Sequence, residues 1–198
     1  TSAGSIVSWN WNFGDPPSGA FNTSTLQNQS HTYNTGGPYS VTLIVVSTNG
    51  CIDTLVQTVN VYYQPVADFG MLGGCLNEGI IFSDSSTVTG STITTWSWTF
   101  GDATNSTVQN PVHMYTSSGT YSVTLIVTSG QGCMDTITLP TTIFTNPTAA
   151  FSADDYIADI NQIITFSDQS FTGIVSWFWD FGDSTTSTLQ NPTHSYSL

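Results

Sequence analysis

The sequence has no lysine and no arginine among its 198 residues. Its 13 acidic residues leave a formal net charge of −13, and charged residues make up only 7% of the chain. Proteins that bind nucleic acids need basic side chains to neutralise phosphates, so that class of protein is excluded. Mechanisms that depend on a Schiff-base lysine or an arginine clamp are excluded for the same reason.

Long apolar runs are missing as well. The longest, residues 41–46, is interrupted by Thr42, whereas a membrane-spanning helix needs about 20 apolar residues. We therefore expect no direct insertion into a membrane. Hydrophobic residues at 38% and aromatic residues at 13% are nevertheless too frequent for a disordered chain, and the abundance of Thr and aromatic residues favours strands.

Two sequence motifs recur three times along the chain. The first, Trp-x-Trp-x-Phe-Gly-Asp, begins at Trp9, Trp96 and Trp177. The second is a His-x-Tyr pair that begins at His31, His113 and His194. These histidines are 82 and 81 positions apart, so the chain is built from internal repeats.

The repeat period predicts three domains. We define repeat 1 as residues 1–64, repeat 2 as 65–147 and repeat 3 as 148–198. Only repeat 2 contains every motif, so we expect one complete and two partial domains that come from a longer tandem array. Residues 39–45 and 121–127 share the sequence Tyr-Ser-Val-Thr-Leu-Ile-Val, and such alternation predicts half-buried strands of a β-sandwich.

Taken together, these motifs resemble the polycystic-kidney-disease (PKD) domain, in the variant of large secreted proteins of Bacteroidota. The resemblance extends over the whole chain and also includes the strings Asn-Pro-x-His-x-Tyr and Gly-Cys-x-Asp-Thr. It implies an all-β fold of tandem immunoglobulin-like sandwiches that act as extracellular spacers or adhesion modules. The sequence departs from the family where Ala103 and Ser184 follow the motif aspartate, because the family often has Gly there.

The tryptophans and histidines are predicted to be structural. Both indoles of each Trp-x-Trp pair lie on one strand face beside apolar residues, which is typical of a core. A catalytic or zinc-binding histidine would need several converging ligands or partners, and one histidine per repeat provides no such cluster. We therefore predict no catalytic site and no cofactor, and we assign structural core roles to Trp9, Trp11, Trp96, Trp98, Trp177, Trp179, His31, His113 and His194.

The aspartates have two interpretations. Short Asp side chains commonly accept hydrogen bonds from backbone amides in turns. Calcium is the alternative, because carboxylate oxygens are its preferred ligands. The densest carboxylate group, Asp154, Asp155 and Asp159, is the candidate calcium site, although no EF-hand-like loop is present.

The three cysteines allow several pairings. Cys51 and Cys133 are 82 positions apart and occupy the same place in repeats 1 and 2, whereas the position in repeat 3 that matches Cys75 is Ile157. Because repeat 2 alone holds both positions, we predict a Cys75–Cys133 disulfide, with Cys51 joined to a cysteine outside the chain. Three single pairings remain open, and the predicted pair could lie at opposite ends of a sandwich. A Cα separation above about 7 Å would exclude it.

Three Asp-Ser/Thr sequences resemble the O-glycosylation sites of Bacteroidota. The resemblance implies modification at Thr54, Thr136 and Ser184. Short motifs of this kind occur by chance in a chain rich in Ser and Thr, so the modification is a hypothesis that intact-mass measurement tests.

The sequence therefore predicts a non-catalytic extracellular segment of a long repeat array, such as a cell-surface adhesin, stalk or filament. The alternative is a set of spacer, carbohydrate-binding or substrate-binding repeats in a secreted hydrolase whose catalytic domain lies outside this segment. The expected partners are neighbouring repeats of the same chain, identical chains in a filament, and surface glycans or proteins.

Overall fold

The computed structural model describes residues 5–72 and 74–197. The described part of repeat 1 forms one four-stranded antiparallel sheet in the order β2-β1-β3-β4. A 3₁₀ segment at Pro16–Asn22 lies between its first two strands. The strands are β1 (Ile6–Asn12), β2 (Thr23–Ser24), β3 (Gly37–Ser47) and β4 (Ile52–Val61).

Strand pairing in repeat 1 follows the Trp-x-Trp motif. β1 pairs with β3 so that Trp9 lies opposite Val45 and Trp11 lies opposite Leu43. The β3–β4 hairpin turns at Gly50, whose φ of +77° is accessible to glycine without steric cost. The alternating sequence of β3 thus places two apolar side chains beside the two indoles.

Repeat 2 contains two sheets. The first has the order β5-β6-β9 and the second has the order β11-β10-β7-β8. β7 and β10 pair in the register of repeat 1, with Trp96 opposite Val127 and Trp98 opposite Leu125. The strands are β5 (Phe69–Leu72), β6 (Ile80–Asp84), β7 (Ile93–Thr99), β8 (Asn105–Ser106), β9 (Val112–His113), β10 (Gly119–Ser129) and β11 (Met134–Ile143).

The core of repeat 2 is a group of aromatic rings from both sheets. The ring of Phe69 lies edge-on to Trp98 at a centroid distance of 5.1 Å, and Phe82 lies 5.2 Å from Phe100. None of these four side chains is more than 6% exposed. Because large apolar groups from the two sheets are removed from water together, this contact stabilises the sandwich.

Repeat 3 contains the counterpart of the first sheet, with the order β12-β13-β16, and a short β14-β15 pair. The counterpart of the seven-residue β7 is β14, which has only two residues. Residues 174–178 just before it have no strand structure. The strands are β12 (Phe151–Ala153), β13 (Ile164–Asp168), β14 (Trp179–Asp180), β15 (Thr186–Ser187) and β16 (Thr193–His194).

The described chain divides into two compact units. One contains residues 5–70, 82–111 and 123–139, and the other contains residues 71–72, 74–81, 112–122 and 140–197. The first therefore holds the repeat 1 sheet and the aromatic core of repeat 2, and the second holds repeat 3.

The predicted fold class is confirmed, because the described chain is built from antiparallel sheets and its longest helical segment is a single 3₁₀ stretch. The protein is an all-β array of immunoglobulin-like sandwiches. No helix in residues 5–72 and 74–197 has the length and hydrophobicity needed to cross a bilayer.

Candidate functional site

The first recurring polar cluster is formed around the aspartate that ends β6. The indole nitrogen of Trp96 donates to Asp84 Oδ2 at 2.8 Å, and Gln109 Nε2 donates to the same oxygen at 3.1 Å. The Ser86 amide donates to Asp84 Oδ1 at 3.0 Å, while the Asp84 amide donates to Asn110 Oδ1 at 2.8 Å. We call this group the Asp–Trp cluster. It ties a strand, a turn and a loop of repeat 2 together.

Repeat 3 contains the same Asp–Trp cluster. Trp177 donates to Asp168 Oδ2 at 2.8 Å and Gln190 donates to it at 3.2 Å. The Ser170 amide donates to Asp168 Oδ1 at 2.9 Å, and Asn191 accepts from the Asp168 amide at 2.8 Å. Reproduction of four hydrogen bonds in two repeats indicates a fold determinant rather than a site tuned to one ligand.

Hydrogen bonding stabilises the ionised carboxylates of this cluster. The hydroxyl and amide of Ser170 are the main groups that lower the pKa of Asp168 to about 2, and Trp177 adds to their effect. In repeat 2 partial burial by itself would raise the pKa of Asp84. The hydrogen bonds from Ser86, Gln109 and Trp96 outweigh that effect and hold the pKa below its ordinary value.

The second recurring cluster, the His–Tyr cluster, consists in repeat 1 of Phe13, Asp15, His31 and Tyr33. His31 Nε2 lies 3.1 Å from Asp15 Oδ2, and both side chains are 6% exposed. The imidazole stacks on Phe13 at 4.4 Å and meets the edge of Tyr33 at 4.5 Å. The Tyr33 hydroxyl donates to the Phe13 carbonyl at 3.0 Å, and burial followed by the charge of Asp15 raises the pKa of Tyr33.

Repeat 3 forms the His–Tyr cluster from Phe181, Asp183, His194 and Tyr196. His194 Nε2 lies 2.8 Å from Asp183 Oδ2, and the imidazole stacks on Phe181 at 4.3 Å. The Tyr196 hydroxyl donates to the Phe181 carbonyl at 3.1 Å. A hydroxyl hydrogen bond from Thr185 is the main cause that lowers the pKa of Asp183 to about 2, and His194 contributes.

The His–Tyr cluster has the acid–imidazole pair that catalytic dyads use, but its geometry is that of a packing unit. A general base must reach a substrate proton, whereas the His31 ring is enclosed by Phe13 and Tyr33 and is almost fully buried. In repeat 2 His113 meets the edge of Tyr115 at 4.5 Å, as in the other two repeats. The arrangement therefore orients a turn and does not expose a reactive nitrogen.

The predicted core tryptophans are buried to different degrees. Trp98 is completely buried. The other five are half-buried. Of these, Trp179 contacts the rings of Phe151 and Phe166 at centroid distances of 5.4 and 5.9 Å. The second indole of each pair donates to a loop carbonyl, as Trp98 does to Val108 at 2.9 Å. Trp11 and Trp179 make the same bond to Leu26 and Leu189.

The candidate calcium ligands do not converge. Asp154 accepts from the Thr165 amide at 2.9 Å, and Asp155 accepts from the Ile157 amide at 2.9 Å. Asp159 donates its own amide to Gln162. No group of three or more metal-ligating side chains occurs among the described residues. The structure thus does not bring these three aspartates together as a site, because the carboxylates of Asp154 and Asp155 accept hydrogen bonds from backbone amides of β13 and of a turn.

The predicted disulfide is not formed. Cys51, Cys75 and Cys133 are free thiols in the structure. Cys133 directly precedes the ten-residue strand β11. The backbone of Cys75 instead forms an isolated β-bridge with Phe144, the residue directly after that strand. Ten extended residues span about 33 Å, far more than the few ångströms that a disulfide allows. From the repeat period, the two cysteines could be assigned to one repeat. Their positions at opposite ends of one strand could not be deduced from it.

The three predicted O-glycosylation residues, Thr54, Thr136 and Ser184, all lie on the surface. A glycosyltransferase could reach each hydroxyl, so modification at these positions stays a prediction. The Asp–Trp cluster was not predicted from the sequence. The recurrence of Phe-Ser-Asp at Asp84 and Asp168, and of Gln-Asn in every repeat, was the available signal.

The fold and these clusters define a class of protein, namely tandem immunoglobulin-like sandwich repeats that use their recurring polar residues to hold loops in place. The family model of the PKD domain matches the sequence at residues 1–63, 62–143 and 144–198. The chain therefore belongs to the PKD domain family. The repeat boundaries at 64/65 and 147/148 stay a prediction.

Several collagenases contain segments similar to this chain. A 64-residue segment is 44% identical to collagenase ColQ1 of Bacillus cereus strain Q1 and covers 32% of this chain and 7% of that protein. A 66-residue segment is 42% identical to the microbial collagenase of Vibrio alginolyticus and covers 33% of this chain and 8% of that protein. The chain therefore spans less than a tenth of the length of these relatives.

Solved PKD domains are similar as well. The PKD1 domain of Vibrio anguillarum Epp is 28% identical, with a TM-score of 0.40, and the match covers 42% of this chain and 96% of that one. The PKD1 domain of the Vibrio cholerae metalloprotease PrtV is 32% identical, with a TM-score of 0.38 over 40% of this chain and 96% of that one.

Proposed function

We propose that this chain is a non-catalytic extracellular segment of a repeat array, with a structural or adhesive role as a stalk, spacer or filament at a cell surface. The observation that carries the proposal is that the recurring polar residues make hydrogen bonds within the fold. The Asp–Trp and His–Tyr clusters engage the carboxylates and imidazoles in fold-stabilising hydrogen bonds. Reach along such an array grows with the number of repeats.

The partners that we propose are neighbouring repeats of the same chain and surface glycans or proteins. Because the array has acidic but no basic side chains, copies of it repel one another at low ionic strength. Specific contacts must then come from hydrogen bonds, aromatic side chains or glycans.

The second candidate is a set of spacer or substrate-binding repeats in a secreted hydrolase. The similarity to segments of collagenases and of a metalloprotease favours it. Under this hypothesis the catalytic domain lies elsewhere in the protein. Spacer repeats would hold that domain at a distance from an extracellular substrate, and substrate-binding repeats would hold it close to one.

Two measurements test these proposals. In the first, one, two or three copies of the chain are inserted between a pair of fluorophores, and energy transfer reports the distance between them. If the chain is a spacer, the separation of the fluorophores should rise in proportion to copy number. With a flexible Gly/Ser linker of equal length, the control, the separation should rise as the square root of the number of residues. Square-root scaling of the array would overturn the spacer role.

In the second, the purified chain is incubated with insoluble collagen and with polysaccharides, and the bound fraction is measured after sedimentation. The structural role predicts no retention above that of an unrelated acidic protein. Saturable retention on insoluble collagen would support the hydrolase-associated function instead, whereas saturable retention on a polysaccharide alone would support the adhesive role.

A further inference from the structure

The end of repeat 1 and a turn of repeat 2 border a cleft of about 260 Å³, which we call the junction cleft. It lies entirely within the first of the two compact units. Its walls come from the start of β3, the end of β4, the linker after β4 and the turn at residues 89–91. The residues that determine its chemistry are Gly36, Asn60, Tyr62, Tyr63, Thr89 and Ser91.

Two consecutive tyrosine rings form the aromatic part of the junction cleft. Tyr62 is 51% exposed and Tyr63 is 43% exposed. The main chain at Gly36 lies directly against the Tyr63 ring, because a Cβ built on this glycine would come within 2.5 Å of ring carbon Cε2. This close contact limits the movement of the ring and leaves part of the ring open to the cleft.

The exposure of these rings does not depend on strands that repeat 1 lacks. Phe144 stands 82 positions after Tyr62, in repeat 2, which contains both sheets. The backbone of Phe144 forms a bridge with Cys75, yet the residue is 64% exposed. This position therefore presents an aromatic ring to solvent in a two-sheet sandwich as well.

The lining of the junction cleft favours an uncharged ligand. None of the described residues that line it has a charged side chain. A cation would find no carboxylate to pair with there, and the net charge of −13 repels anions. The polar groups that remain are amides and hydroxyls, which bind neutral partners by hydrogen bonds. Among them the Ser91 hydroxyl already donates to Gln131, so it is available as an acceptor.

A sugar combines the two kinds of surface that the junction cleft offers to a ligand. The face of an aromatic ring is electron-rich, and the C–H groups on one face of a pyranose ring carry partial positive charge. The hydroxyl groups around the edge of the same sugar donate and accept hydrogen bonds. Sites for drug-sized ligands measure about 300–1,000 Å³, so a cleft slightly below that range suits a short saccharide.

We propose that the junction cleft binds a short neutral saccharide. One sugar ring stacks on the open part of Tyr63, and the Asn60 amide and the Tyr62 hydroxyl bind its hydroxyl groups. This inference rests on the proposed adhesive role, in which surface glycans are partners, and it names the class of glycan and the site. An array separates its ends whether or not it binds a sugar, so failure of this inference leaves the spacer role intact.

Binding of neutral oligosaccharides to the 198-residue chain tests the proposal. Immobilised oligosaccharides of glucose, mannose, galactose and N-acetylglucosamine identify a binder, and titration calorimetry with that oligosaccharide measures its Kd. Tyr63→Thr introduces the residue that repeat 2 has at position 145. It should weaken binding about tenfold, because the stacking ring is lost. Tyr156→Thr makes the same change at a tyrosine outside the cleft that is 75% exposed, and it should bind like the parent chain.

A second pair of variants displaces the ring without removing it. Gly36→Ala places a Cβ against the Tyr63 ring, whereas the Cβ added by Gly70→Ala meets no atom of the described residues within 4 Å. Gly36→Ala should therefore weaken saccharide binding, and Gly70→Ala should not. Thermal unfolding of each variant establishes that it is folded before its Kd is compared.

Three results would overturn the proposal. The first is that none of the immobilised neutral oligosaccharides binds the parent chain. The second is an equal loss of affinity in Tyr63→Thr and Tyr156→Thr. The third is binding that neither Tyr63→Thr nor Gly36→Ala weakens, because the saccharide would then occupy a different surface. Failure of the spacer role is detected separately, by the distance between fluorophores.

Discussion

The indole nitrogen of Trp96 donates a 2.8 Å hydrogen bond to Asp84 Oδ2, and Trp177 donates an equal bond to Asp168. In both repeats the carboxylate stands at the end of a strand of the first sheet, and the tryptophan belongs to the Trp-x-Trp motif. A chain without lysine and arginine thus satisfies these acids with neutral donors. Hydrogen bonds to a charged acceptor contribute more than neutral pairs.

Removal of the Asp84 carboxylate should destabilise repeat 2. Asp84→Ala leaves Trp96 and Gln109 without their acceptor, and we expect a loss of about 1–3 kcal/mol in the free energy of unfolding. Denaturant unfolding followed by tryptophan fluorescence measures it. Glu78→Ala removes the same charge from an exposed position and should change stability by less than about 0.5 kcal/mol; an equal effect of the two variants would contradict the role of the cluster.

The His–Tyr cluster predicts a difference between repeats 1 and 3. His31→Phe preserves the stack on Phe13 but leaves Asp15, which is 4% exposed, without its partner. We expect a loss of about 1–3 kcal/mol. His194→Phe should have a smaller effect, because the side chain of Asp183 is 32% exposed and water can replace the imidazole. Thermal unfolding of both variants tests this order, and a larger loss for His194→Phe would refute it.

Acid should weaken the fold through the two clusters of repeat 3. The pKa values of Asp168 and Asp183 are lowered to about 2 from an ordinary value of 3.8. Their contribution to stability is therefore complete above pH 3.8 and is lost as the pH falls through 2. The melting temperature should decline across this window, and Asp168→Asn should decline less steeply. A flat profile between these pH values in the parent chain would show that the carboxylates do not contribute.

Backbone strain at Ala103 offers a stabilising substitution. Its φ of +70° lies in the left-handed region, which costs a residue with a Cβ about 1–2 kcal/mol. Ala103→Gly removes that strain, and after the entropic penalty of glycine of about 0.5–1 kcal/mol we expect a small net gain and a higher melting temperature. Ala153→Gly, in the extended strand β12, is the control and should lower it.

Thiol titration distinguishes the structure from the sequence-based disulfide hypothesis. Without reductant, the unfolded chain should react with a thiol reagent at three positions, whereas a Cys75–Cys133 bond would leave one. In the folded chain exposed Cys51 should react first, because Cys75 and Cys133 are half-buried. The variant Cys51→Ser should lose the fast phase of the thiol reaction. A fast phase that persists in this variant would show that Cys51 is not the thiol that reacts first.

The periodic features of the chain were predictable. Alternation of apolar side chains in 39–45 and 121–127 identified β3 and β10, because the two-residue period of a strand is visible in sequence. The repeated Trp-x-Trp motif predicted matching strands in all three repeats. Only in repeats 1 and 2 does this strand extend over seven residues, because in repeat 3 the described chain has no hairpin beside it.

The sequence alone was enough to predict the repeat period and the all-β class, since both depend on local spacing, and its motifs resembled the PKD domain. Tertiary structure decided the rest. It showed that Cys75 and Cys133 flank opposite ends of one strand, that Asp154 and Asp155 accept hydrogen bonds from backbone amides, and that Asp84 accepts a bond from Trp96. These outcomes depend on which distant segments meet when the sheets pack, and the position of a residue within its repeat contains no information about the neighbours that folding brings to it.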